Sequence, residues 1–88
     1  MQRLKRRMVA ALELPKDIIL DLPVVAVTGD EELAVSNHRG LLEYAAGHVR
    51  LATSVGQLKI FGTNLTLKEI SSENIAISGK IDKISWEA

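Results

Sequence analysis

Ser36, Asn37, His38 and Arg39 stand in succession before Gly40, placing a hydroxyl, a carboxamide, an imidazole and a guanidinium in four adjacent positions. A serine near a histidine suggests nucleophilic catalysis, in which the imidazole takes the hydroxyl proton and a carboxylate orients the imidazole. Ser36 and His38 are two residues apart, which puts them on one side of an extended backbone. The remaining parts of that chemistry are missing. The serine follows a plain strand pattern rather than a strained elbow, and no acid is spaced to orient His38. The stretch therefore reads as a corner between two strands, with His38, Arg39 and Gly40 as its loop and Asn37 able to satisfy turn backbone with its own side chain. Asn37, His38, Arg39 and Gly40 are assigned as a structural or contact loop, and no catalytic residue is assigned.

Other reactive combinations are sparser. His38 and His48 are the only histidines and the chain has no cysteine, so neither a thiolate zinc site nor a thiol nucleophile is available. Asp30, Glu31 and Glu32 follow Gly29 in a row and lack the alternate spacing of a calcium loop. Gly47, Gly56, Gly62 and Gly79 punctuate turns or bulges and never open a helix as a phosphate loop does. Asn64-Leu65-Thr66 matches a glycosylation sequon, but Gly62-Thr63-Asn64 reads better as a hairpin turn. No metal or cofactor ligand follows from these residues.

The elements around the corner are short and β-favouring. Runs at 24–28, 33–37, 41–45, 48–53, 57–61, 65–70, 75–78 and 80–86 alternate with turn residues. Alternation places Val25 and Val27, Leu33 and Val35, Leu42 and Tyr44, Val49 and Leu51, Leu58 and Ile60, Leu65 and Leu67, and Ile75 and Ile77 on a buried face. In the last run, Ile81, Ile84 and Trp86 change parity, which predicts a bulge near Asp82 and Lys83 and lets Trp86 cap the core. The expected fold is mainly β: an antiparallel meander of about eight short strands forming a small sandwich or rolled sheet. A β-solenoid is the alternative, since short rungs recur at similar spacing.

Eighty-eight residues suit one such domain. The net charge is zero, yet Arg3, Lys5, Arg6, Arg7 and Lys16 precede an acidic body. Leu4, Met8, Ala11 and Leu12 fall at helical spacing before Pro15. The reading is a basic amphipathic helix over 1–14, followed by an all-β domain over 15–88. Its bland role is a solvated packing helix. Its functional role is an arm, through Arg3, Lys5, Arg6 and Arg7, that meets an anionic membrane surface or an acidic partner. No apolar run approaches the length of a membrane span, and the basic start lacks the long apolar core of a secretory signal. With only Tyr44, Phe61 and Trp86 as aromatics and an acidic body, nucleic acid is not an expected partner.

Three longer stretches resemble a known family. LPKDIILDLPVVAVTGDEELAVSNHRGLLEY, GQLKIFGTNLTLKEI and IAISGKIDKISW, taken in order, are similar to the YabP/YqfC family of sporulation proteins from endospore-forming bacteria, and within it to the YqfC type. The likeness runs from about Leu14 to the end. It implies a non-enzymatic protein without a cofactor, made in the mother cell and acting in spore envelope assembly, in coat or cortex formation. Family members are typically encoded beside a membrane protein of the same programme, YqfD for the YqfC type. The implied partner is therefore a YqfD-like membrane protein. The implied location is the mother-cell cytoplasm, peripheral at the outer forespore membrane, with self-association as a further expectation.

Overall fold

The computed structural model describes residues 21–88, which form one six-stranded antiparallel sheet. The strands are β1 (Val24–Thr28), β2 (Glu32–Ser36), β3 (Gly40–Tyr44), β4 (His48–Thr53), β5 (Gly56–Ile70) and β6 (Asn74–Glu87). The basic arm and its predicted helix lie outside the described residues. The spatial order is β1-β2-β6-β5-β4-β3. Hairpins join β1 to β2, β3 to β4, β4 to β5 and β5 to β6, whereas β2 pairs with the distant β6.

This order corrects the meander. β2 and β3 are consecutive in the chain but do not pair, so residues 37–39 are not a hairpin loop. They carry the chain from β2, beside one edge, to β3 at the other. In a flat sheet, four strand spacings would separate β2 from β3 by about 19 Å. The Cα steps from Ser36 to Gly40 reach at most roughly 14 Å. The sheet therefore curls, bringing its two ends together over a shared core. A solenoid is ruled out for these residues, because its rungs would pair in parallel and every ladder here is antiparallel.

The expected eight strands are six because two predicted breaks fall inside continuous strands. Thr63 and Asn64 do not make a hairpin turn. They form an irregularity within β5, where the pairing shifts between Thr63 and Thr66 and Asn64 takes a φ of 55°. Gly79 likewise lies inside β6, with a φ of 131°. At this point the two long strands approach too closely for side chains. A Cβ on Gly79 would lie 2.6 Å from the Asn64 carbonyl oxygen, and one on Gly62 would run into the Lys80 carbonyl oxygen. The glycines thus permit a bend that a side chain would prevent. The parity change predicted near Asp82 is present: Phe61 pairs with Lys83 and Gly62 with Ile81, leaving Asp82 as the extra residue.

Alternation located most of the core. Leu33, Val35, Val49, Leu51, Leu58, Ile60, Leu65, Ile75 and Ile77 are buried in one cluster with Ile81, and Val25, Leu41, Leu67 and Ile84 pack against it. Four expected positions depart. Val27 is 46% exposed because β1 is the last strand of the sheet among the described residues. The register of β3 shifts between Leu41 and Glu43, so Leu41 faces Leu51 and Leu42 is left exposed. Tyr44 is also exposed, at the far end of that edge strand, with its hydroxyl donating to the Leu65 carbonyl at 3.1 Å. Trp86 pairs with Leu58 at the end of β6 and is 49% exposed, so it does not cap the core.

Candidate functional site

Residues 37–40 form the crossing point of the curled sheet, and backbone hydrogen bonds fix them from both sides. The amides of Asn37 and His38 donate to the Glu73 carbonyl at 2.6 and 3.2 Å, in the turn between β5 and β6. The Arg39 amide donates to the Ala52 carbonyl on β4 at 2.7 Å. Consecutive residues thus bond to opposite halves of the sheet.

His38 lies inside this crossing and is 4% exposed. Its Nδ1 accepts the Gly40 backbone N–H at 3.0 Å, which leaves Nε2 to donate to the Ser71 carbonyl, also at 3.0 Å. The neutral ring protonated at Nε2 satisfies both bonds. With both nitrogens held by backbone, His38 is not placed to take a proton from Ser36, which lies exposed in the Val24–Ser36–Asn74 row of the sheet. The imidazole expected at a contact surface is instead an internal strut. Of the His-Arg pair, only Arg39 reaches the surface.

Arg39 and Asn37 converge on Asp21. The Arg39 guanidinium pairs with the Asp21 carboxylate, and the Asn37 Nδ2 donates to the same carboxylate at 2.8 Å and to the Leu22 carbonyl at 3.2 Å. The Asn37 amide, reinforced by Arg39, holds the Asp21 carboxyl below its ordinary range. Asn37 and Asp21 both take left-handed backbone, with φ of 63° and 57°, a conformation that short polar side chains tolerate. The Ser54 hydroxyl donates to the Asp21 carbonyl at 2.6 Å, tying the turn between β4 and β5 into the same knot. Asp21 is the partner that the local pattern of the corner does not reveal. Its signal was present, a lone acid between apolar neighbours in IILDLP, but nothing local paired it with Asn37 sixteen residues away.

The corner borders a shallow depression of about 410 Å³, lined by Asp21, Leu22, Ser36, Asn37, Glu73 and others. A second open depression, of about 560 Å³, is lined by Asp30, Glu31, Glu32 and Lys80. There the Lys80 ammonium pairs with Asp30, lowering the Asp30 carboxyl and raising the Lys80 ammonium from their ordinary values. His48 sits on the outer face, 3.1 Å from Glu43 and stacked over Phe61. His48 and then Arg50 draw the Glu43 carboxyl below its ordinary range. The two histidines are therefore engaged separately. Among the described residues, no group of three or more His, Cys, Asp or Glu side chains is placed to hold a metal ion.

What remains open is the sheet's perimeter. β1 and β3 are its outermost strands among the described residues. Apolar side chains are exposed on both: Val24 and Val27 on β1, and Leu42 and Tyr44 on β3. No helix of the described residues is long and apolar enough to cross a membrane.

Comparison with known proteins places these features in a family. The model of the YabP family matches residues 22–88, the portion that forms the sheet together with the segment leading into it. The chain is 38% identical over 84 residues to "Uncharacterized protein YqfC" of Bacillus subtilis (strain 168), spanning 96% of this chain and 90% of that protein. No solved structure matches.

Proposed function

Because the chain belongs to the YabP family, we propose that it is a non-enzymatic assembly protein of the sporulation programme. In this reading it is a scaffold or adaptor in building the spore envelope, acting beside a YqfD-like membrane protein from the mother-cell side of the outer forespore membrane. The observation that carries the reading is the division of labour between corner and perimeter. Of the polar residues that look reactive in sequence, Asn37, His38 and Arg39 are committed to holding the fold, with His38 buried between two backbone partners. The edge strands β1 and β3 keep exposed apolar side chains. Strand edges are the groups by which a small sheet recruits another chain without chemistry. The basic arm through Arg3, Lys5, Arg6 and Arg7 supplies a second contact, to lipid headgroups or an acidic partner.

The test is co-purification of the tagged chain from sporulating cells after membranes are solubilised. Recovery of the YqfD-like protein supports the adaptor role. Recovery of the chain alone as a uniform multimer favours a self-assembling structural element instead. Deleting residues 1–13 separates the two contacts. If membrane or partner recruitment is unchanged, the arm has no part in it.

A further inference from the structure

From the edge geometry we infer that β1 pairs with β1 of a second copy, antiparallel about a two-fold axis at Ala26, to join two sheets into one. The inference goes beyond the adaptor reading by naming a surface and a register for self-association.

The free edges differ in how they are protected. Natural sheets guard edges with charges, prolines or bulges. β3 carries Glu43 and a register shift beside it. The stretch of β5 beyond its pairing with β4 carries Lys68 and Glu69, and the end of β6 carries Lys83 and Glu87. β1 has none of these devices. It reads Val-Val-Ala-Val-Thr, without charge or proline, and its ladder with β2 runs through five consecutive pairs without a shift. Among the described residues it is the last strand of the sheet on its side.

The sequence of β1 is also complementary to its own reverse. With Ala26 on the axis, Ala26 meets Ala26, Val25 meets Val27, and Val24 meets Thr28. Val25 and Val27 share the face of Val35 and Leu33, their buried partners on β2. The Val25–Val27 contacts, made twice by symmetry, would extend the core row across the junction and cover Val27, now 46% exposed. On the other face only small or β-branched side chains meet, with no charge opposed to a like charge. The ends agree as well. The Arg39 guanidinium stands beside Asp21, just before β1, and Asp30, Glu31 and Glu32 follow it. Antiparallel pairing sets the acidic turn of each copy against the internally neutral Arg39–Asp21 pair of the other, whereas parallel pairing would set the acidic turns side by side.

A contact of one five-residue strand per copy is small, so the dimer is weak and concentration-dependent. Sedimentation velocity on the full chain over a concentration series is the first measurement, followed by three variants at the axis. Ala26→Glu and Ala26→Lys each set like charges opposite each other and should weaken the dimer by about tenfold. Mixing the two should restore it, which a merely misfolded variant would not do. The chain has no cysteine, so Ala26→Cys provides a direct probe of the axis. It should form a disulfide dimer on mild oxidation far faster than Val24→Cys, whose equivalent lies four residues off register. A chain that stays monomeric at its highest soluble concentration overturns the inference. So does a dimer unaffected by charge at position 26, or one in which both cysteines cross-link equally. If such a monomer still captures the YqfD-like protein, the adaptor role stands and the pairing alone fails.

Discussion

Replacing His38 with alanine tests whether the Asn37–Gly40 corner is a strut or a contact loop. The imidazole is buried and bridges the Gly40 N–H to the Ser71 carbonyl, each at 3.0 Å, between residues on either side of the crossing. Removing it deprives both backbone groups of their partner and leaves a void. An unsatisfied buried polar group costs about 1–3 kcal/mol. The corner lies near the surface, so water recovers part of that, and the expected loss is about 2–4 kcal/mol including the void. A domain of this size has about 5–10 kcal/mol in all. With a urea dependence near 1 kcal/mol per molar, the midpoint should fall by about 2 M or more. The assay is urea unfolding of the two proteins followed by far-ultraviolet circular dichroism, with Ser36→Ala as the control. Ser36 is exposed, and its loss should stay within about 0.5 kcal/mol. A His38→Ala midpoint within about 0.5 M of the parent would refute the strut. It would return His38 to the contact-loop reading, in which the fold does not depend on its ring.

Other expectations follow from the same geometry. Gly79→Ala puts a Cβ 2.6 Å from the Asn64 carbonyl at a φ of 131°, so it should destabilise the fold by about 2 kcal/mol or more, read as a lowered thermal midpoint. Gly29→Ala meets no neighbouring atom and bears only the cost of its own left-handed backbone, so it should lower that midpoint less. Leu58→Ala, at 0% exposure in the cluster, should cost about 2–5 kcal/mol in the same unfolding assay, whereas Leu42→Ala, at 47% exposure, should cost far less. Asp21, Asp30 and Glu43 have carboxyls held below their ordinary range in the fold. Their contribution is present above the unfolded-state values near 4 and is lost as pH falls through the lower folded values. Thermal midpoints from pH 5 to pH 2.5 should therefore fall more steeply for the parent than for Lys80→Met, which removes the partner of Asp30. Equal slopes would show that this pair contributes nothing to acid sensitivity.

Most of the side chains that face inward could be read from alternation along the chain. Leu33 and Val35, Val49 and Leu51, Leu58 and Ile60, and Ile75 and Ile77 are buried where period-two alternation puts them, because a strand's two faces are set by its own backbone. The displaced parity at Ile81 and Ile84 revealed the bulge near Asp82 for the same local reason. Family membership, too, was legible in the order of strands and turns. Which strands are neighbours is a property of the folded sheet alone. Pairing β2 with β6 joins Leu33 to Ile77 across more than half of the described chain, and no local pattern encodes that choice. Once β2 pairs there, the short link to β3 must curl the sheet, and a predicted hairpin loop becomes the crossing point. His38 is buried because that crossing brings it to the Ser71 carbonyl, thirty-three residues away. Gly62 and Gly79, expected at turns or bulges, mark irregularities inside two continuous strands, at the place where these come close enough to bend together.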